Sequence, residues 1–142
     1  MKVSRYLDTG INLIILVFLS FLVHCQLLTT TAGTIASPNY PEEYPINLRL
    51  ILFIEVPGAL FLRICFDAFD VETNWDNLYY GVGDVDPGQS TGVLTGSSIP
   101  ADIVITDNRV WFYLYTDEIN DYDICGTTCI GFSLTWCAST GK

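Results

Sequence analysis

Asp70, Glu72 and Asp76 place three carboxylates within seven residues, Asp70-Val-Glu-Thr-Asn-Trp-Asp76. A second acidic stretch, Asp117-Glu-Ile-Asn-Asp-Tyr-Asp123, adds four more. Acids this close repel one another unless water screens them or a cation sits among them. Hard oxygen donors in such a cluster suit calcium; the competing reading is a pair of solvated acidic loops in a chain rich in Asp and Glu. Glu72 and Asp76 could also form a glycosidase-type acid–base pair, but such pairs work in clefts lined by much larger scaffolds. The only histidine, His24, lies in the N-terminal segment. Beyond that segment there is no Ser-His or Cys-His dyad, no His general base and no His metal ligand, so a non-enzymatic role is expected.

The N-terminal segment has its own logic. Lys2 and Arg5 precede an apolar run from Ile11 to Val23, and Val23-His24-Cys25 follows the pattern of a cleavage site. The run is shorter than the ~20 residues of a membrane-spanning helix. A signal peptide over residues 1–25, cut after Cys25, is the expectation, and an uncleaved N-terminal anchor is its alternative. The remaining 26–142 suffices for one domain with a core. It carries four basic residues against fifteen acids, a net charge of −11. That balance argues against nucleic acid and anionic lipid as partners and favours cations or a basic partner.

Four cysteines remain after the leader: Cys65, Cys125, Cys129 and Cys137. An even count in an exported chain reads as two disulfides. Cys125–Cys129 closing a local loop and Cys65–Cys137 tying distant strands is the preferred pairing, with the other connectivities open. Zinc at Cys125-x-x-x-Cys129 would need a second Cys pair or a His, which the chain does not supply.

The elements that must position these residues read as strands throughout. After a Thr-rich lead-in over 26–32, Pro38, Pro41 and Pro45 forbid a helix. Leu48–Val56 is rich in β-formers, and Pro57-Gly58 marks a turn. Leu62, Ile64 and Phe66 then share one strand face, opposite Arg63, Cys65 and Asp67. Leu78–Val82, Ile103–Ile105, Val110–Tyr115 and Gly131–Trp136 complete the strands, and Val93-Leu94 is a possible short one. Short strands separated by turn signals, with no sustained helical period, predict an all-β, antiparallel β-sandwich. Phe112, Leu114, Phe132, Leu134 and Trp136 alternate like core residues, whereas Trp75 and Tyr122 sit in acidic loops where a contact residue would stand.

The order of these pieces resembles the CUB domain, an extracellular sandwich of jelly-roll type. Gly33-x-Ile-x-Ser-Pro-Asn-Tyr-Pro41-x-x-Tyr44-Pro45 is similar to the family's opening signature. Phe66-x-x-Phe69-Asp70-x-Glu72, Asp76-x-Leu78 and Gly83 are similar to its middle block, and Ile99-Pro100, Tyr115-Thr-Asp117 and Gly131-Phe132 to its closing block. The departures are specific. Leu50 and, at about the expected places, Thr73 and Thr95 stand where the family usually has cysteines, and the Glu72–Asp76 segment is short.

The resemblance implies a secreted, calcium-binding interaction module with Tyr44, Glu72, Asp76 and Asp117 as metal ligands, supplemented by the Ile119 backbone and Asn120. It implies a protein partner presenting Lys or Arg to the acidic site, with Trp75 and Tyr122 as contact residues; a glycan is the other partner considered. A metal-free structural or recognition sandwich and a membrane-tethered form are the alternatives.

Overall fold

A computed structural model describes residues 31–126 and 128–140 in full and, before them, the backbone of four strands only. Those four are β1 (Leu7–Asp8), β2 (Ile11–Asn12), β3 (Ile14–Val17) and β4 (Val23–Leu28). Then follow β5 (Ala32–Ala36), β6 (Arg49–Glu55), β7 (Phe61–Asp70) and β8 (Asn77–Gly81). A single 3₁₀ turn, Pro87–Gln89, precedes β9 (Gly92–Leu94), β10 (Ile103–Ile105), β11 (Arg109–Tyr115) and β12 (Gly131–Ser139). The expected leader otherwise lies outside the described residues, and β4 runs across the expected cut after Cys25.

Two sheets make the sandwich. One has four strands in the order β10-β7-β12-β5, the other six in the order β3-β4-β6-β11-β8-β9. All pairings are antiparallel except β4 on β6. The expected all-β sandwich is what the chain forms. The Thr-rich lead-in is the correction: it is bracketed by strands, because β4 reaches Leu28 and β5 starts at Ala32. The partner strands β6 and β12 supply the hydrogen bonds that periodicity alone did not reveal.

Alternation of side chains builds the core. Leu50, Leu52 and Ile54 of β6 face Leu62, Ile64 and Phe66 of β7, with Val110, Phe112 and Leu114 of β11 and Phe132, Leu134 and Trp136 of β12 in the same buried cluster. Each fully buried residue of this kind stabilises the fold by roughly 1.5–3 kcal/mol. Phe66 meets Phe69 and Phe132 edge-on, with ring centroids 5.5 and 6.3 Å apart. The expected core residues are all buried.

The cysteines divide. Cys125 and Cys129 form a disulfide, as preferred, whereas Cys65 and Cys137 are free thiols. The expected Cys65–Cys137 bridge is therefore corrected. Their strands do pair, but the register sets Cys65 opposite Thr135 and Cys137 opposite Arg63. The two cysteines are diagonal neighbours, at a typical Cα spacing of ~7–8 Å, beyond the usual span of a disulfide.

Candidate metal centre

The acidic end is assembled by three crossing pieces of chain. The first is the proline-rich segment, whose Tyr40–Pro41 bond is cis. It lies along the exit of β11: the Leu48 amide donates to Thr116 Oγ1 (2.7 Å), that hydroxyl donates to the Pro45 carbonyl (2.9 Å), and the Asn47 amide donates to the Asp117 carbonyl (2.5 Å). Tyr44 is thereby fixed beside Asp117. The second piece is the turn leaving β7, in which the Asp76 amide donates to the Glu72 carbonyl (3.2 Å) and Asn74 takes a left-handed φ of 70°. Asparagine tolerates that region better than most residues, which lets so short a segment close. Thr95 Oγ1 clips the turn from outside, donating to the Glu72 carbonyl (3.0 Å) and accepting from the Asn74 amide (3.1 Å). Two hydrogen bonds at one hydroxyl thus tie the chain after β9 to this turn. The third piece is the loop after β11, from Asp117 to Ile130.

These pieces bring Glu72, Asp76 and Asp117 together, with one carboxylate oxygen of each lying within 4.8 Å of the others. Glu72 and Asp76 are 2% and 0% exposed. Tyr44 is equally buried; its hydroxyl donates to Asp76 Oδ2 (2.6 Å) and accepts from the Glu72 amide (3.0 Å). Asp76 Oδ1 accepts from the Asp117 amide (2.8 Å), and Glu72 Oε1 from the Asp121 amide (3.2 Å). Two buried oxygens at the site have no hydrogen-bond partner: Glu72 Oε2 and Asn120 Oδ1.

The electrostatics follow from this burial. Desolvation raises the Glu72 carboxyl above its ordinary range, and repulsion from Asp76, Asp117 and Asp121 raises it further against the Asp121 hydrogen bond. Desolvation likewise raises Asp76, aided by repulsion from Asp117 and opposed by hydrogen bonds from Tyr44 and the Asp117 amide and by the charge of Arg49. Burial and the bond to Asp76 push the Tyr44 phenol far up, so it stays a neutral donor. No basic side chain reaches these carboxylates within ion-pair distance among the described residues. Buried carboxylates with one unpartnered oxygen and no cationic side chain in ion-pair contact are a donor set that fits a hard cation.

Each expected residue can now be placed. Glu72, Asp76 and Asp117 converge, and Tyr44 touches two of them. Asn120 is half-buried beside them, its Nδ2 donating to Glu43 Oε1 (2.8 Å) and the Tyr44 carbonyl (3.2 Å) while Oδ1 is unpartnered. Ile119 is an exposed side chain whose amide donates to Asp117 Oδ1 (2.9 Å). Asp70, third acid of the opening stretch, turns elsewhere and accepts from the Gly126 amide (2.7 Å). Trp75 and Tyr122 are 59% and 58% exposed. Glu43 was not singled out by the sequence; it receives both Asn120 Nδ2 and the Tyr122 hydroxyl (2.7 Å), and only its adjacency to Tyr44 could have signalled it.

Comparison with known proteins agrees with this architecture. Residues 24–124 match the model of the CUB domain. The chain is 29% identical to human Cubilin over 120 residues, covering 81% of this chain and 3% of Cubilin. It is 33% identical to rat Procollagen C-endopeptidase enhancer 1 over 95 residues, covering 64% of this chain and 20% of that protein. It thus spans at most a fifth of these relatives' lengths. Among solved structures, the MASP-1 CUB2 domain bound to Ca²⁺ superposes with a TM-score of 0.64 at 22% identity, over 79% of this chain and 96% of that one. The CUB1-EGF-CUB2 domains of rat MASP-1 give 0.68 at 19% identity, over 82% and 43%. With the family model spanning most of the sequence and the same sandwich underneath it, the chain belongs to the CUB domain family.

Proposed function

We propose that this chain is an extracellular interaction module whose acidic end holds one calcium ion and offers Trp75 and Tyr122 to a basic group on a protein partner. One observation carries the reading: Glu72 and Asp76 are buried with no ion pair to a cationic side chain among the described residues, and Glu72 Oε2 is unpartnered. Such an arrangement costs stability unless a cation neutralises it. Glu72, Asp76 and Asp117, with Tyr44 and Asn120 Oδ1, would hold the ion; Ile119 would contribute through its backbone. Calcium supplies a divalent charge to hard oxygens there. The calcium-bound MASP-1 CUB2 domain supports the choice of ion. Secretion through a leader within residues 1–25 belongs to the same proposal; N-terminal sequencing of exported protein checks it, and a chain beginning at Met1 would instead support the tethered form.

The partner face follows from exposure. Trp75, Tyr122, Ile119 and Ile46 are large exposed side chains near the acids, a mixture of aromatic anchors and charge that suits a Lys or Arg with its aliphatic stem. A glycan-binding alternative would use the outer face of β8 and β11, where Tyr79 and Tyr113 stand half-buried with ring centroids 6.0 Å apart. The metal-free reading is favoured by one observation of its own: both Asp76 oxygens already accept hydrogen bonds.

Thermal unfolding in millimolar calcium and in chelator separates these readings. We expect a higher melting temperature with calcium, and no rise in Asp117→Ala. Identical curves for the parent protein would overturn the metal reading and leave the metal-free sandwich.

A further inference from the structure

We propose that the Cys125–Cys129 disulfide is the positioning clamp of the acidic site, holding Tyr44 on one side and the Asp121 turn on the other. This inference deepens the calcium reading and rests on it for its binding arm alone. Cys125, Cys129 and Tyr44 form a small buried cluster of their own, apart from the sandwich core. Cys129 is fully buried, and its carbonyl accepts from the Tyr44 amide (3.3 Å). Tyr44 in turn spans Asp76 and the Glu72 amide, so whatever fixes its ring fixes two of the three acids.

The other end of the bridge acts through the loop. The amides of Ile124 and Cys125 donate to the Asp121 carbonyl (3.0 and 3.2 Å), and the Asp121 amide donates to Glu72 Oε1. Thr73 Oγ1 donates to the Ile124 carbonyl (3.4 Å), and Asp70 receives the Gly126 amide. Three of the struts between this loop and the turn leaving β7, at Asp121, Ile124 and Gly126, therefore meet the chain within four residues of Cys125, and the Asp117 amide's bond to Asp76 is the one farther off. Cys129 also takes a left-handed φ of 52°, which a residue with a β-carbon adopts at a cost. A four-residue separation closed by sulfur keeps it there. Opening the bridge frees Cys129 to leave that region, and the Tyr44 amide contact and the Asp121 turn would loosen with it.

The test uses the full chain in three forms: the parent, Cys125→Ser with Cys129→Ser, and Cys65→Ser with Cys137→Ser. The last removes only the free thiols on the outer face of β7 and β12. Calcium titration calorimetry should give a Kd about 10- to 100-fold weaker in the first double variant, the loss typical when supports behind metal ligands are removed. The thiol-free control should keep the parent's Kd. Amide hydrogen exchange without metal provides an independent reading. Glu72 and Asp117 amides, bonded to Tyr44 and Asp76, should exchange faster in the first double variant, while Phe112 and Leu114 in the core stay protected. Unchanged Kd and unchanged exchange would overturn the clamp. Loss of core protection in this variant and also in Cys125→Ala with Cys129→Ala would overturn it too, by showing a general folding role. Absence of calcium binding in the parent would sink the calcium reading, leaving the clamp to stand or fall on the exchange of Glu72 and Asp117.

Discussion

Phe112 and Leu114 of the sandwich interior and Asp76 of the acidic end are buried to the same depth but held by opposite means. Phe112 and Leu114 are fully covered by apolar neighbours, so burial itself stabilises them. Asp76 is as fully covered, yet burial works against its charge and the site persists through directed hydrogen bonds. The difference lies in tolerance. A hydrophobic core accepts change in proportion to lost volume, whereas a buried polar site depends on each partner being in place.

The largest effect should come from the interior. Phe112→Ala removes a ring at the centre of β11, beside Tyr80 and opposite Leu52. A loss of about 3–5 kcal/mol is expected, measured by denaturant unfolding. The loss should be the same with calcium or chelator, because the ring takes no part in the acidic end. A calcium-dependent loss would break the distinction between the two interiors.

Gly131 lies on the seam between them and should give the next largest effect. Its φ is +81°, and a β-carbon there would collide with Ser37 Oγ and come within 3.2 Å of Tyr44 Cδ1. Ser37 Oγ accepts from the Phe132 amide (3.0 Å), so the clash reaches both the β12 ladder and the tyrosine. Gly131→Ala should cost about 2–4 kcal/mol from strain and overpacking. It should weaken calcium binding as well, visible as a smaller calcium-induced rise in melting temperature than the parent's.

Sequence reading reached one interior better than the other, for a physical reason. Alternation along β6, β7, β11 and β12 is a local pattern, and it identified Leu62, Ile64, Phe66, Phe112 and Trp136 before any fold was known. Glu72 and Asp76 were visible as a pair, but their convergence with Tyr44 and Asp117 joins residues far apart in sequence and came only from likeness to a family. Glu43, Thr95 and the Asp70–Gly126 contact had no local signal, because each matters through a partner distant in sequence that folding alone brings near. The free Cys65 and Cys137 show the same limit. Cysteine count cannot see a register that leaves two thiols diagonal.

Asp76→Asn should separate charge from shape at a smaller scale. Asparagine keeps an acceptor for the Asp117 amide or the Tyr44 hydroxyl and removes the buried charge. The metal-free protein should be about as stable as the parent, or slightly more so, since a desolvated carboxylate has gone. The parent should gain about 1–2 kcal/mol in 5 mM calcium if its Kd lies at ~10⁻⁴ to 10⁻³ M, as in extracellular modules. The variant should gain nothing. Paired calcium and chelator melts measure both, and a calcium gain retained by the variant would remove Asp76 from the site.

The smallest effect is the pH dependence of the metal-free protein, and its sign is diagnostic. Glu72 and Asp76 are raised above their ordinary values of 4.5 and 3.8, chiefly by desolvation. In that window the folded state binds more protons than the unfolded state, so their contribution is fully present below the ordinary values. It is lost as pH rises through the raised ones. Most paired carboxylates run the other way, as Asp102 does: its bonds from Arg63 lower it and add stability as pH rises. In chelator, the parent should therefore lose stability between mildly acidic and neutral pH relative to Asp76→Asn, as read from denaturation midpoints at each pH. The apolar interior adds no slope of its own there, so the difference between the two proteins isolates the acidic end. Parallel pH profiles would mean that hydrogen bonds from Tyr44 and the Asp117 amide already compensate the buried charge, and that the two interiors are more alike than their composition implies.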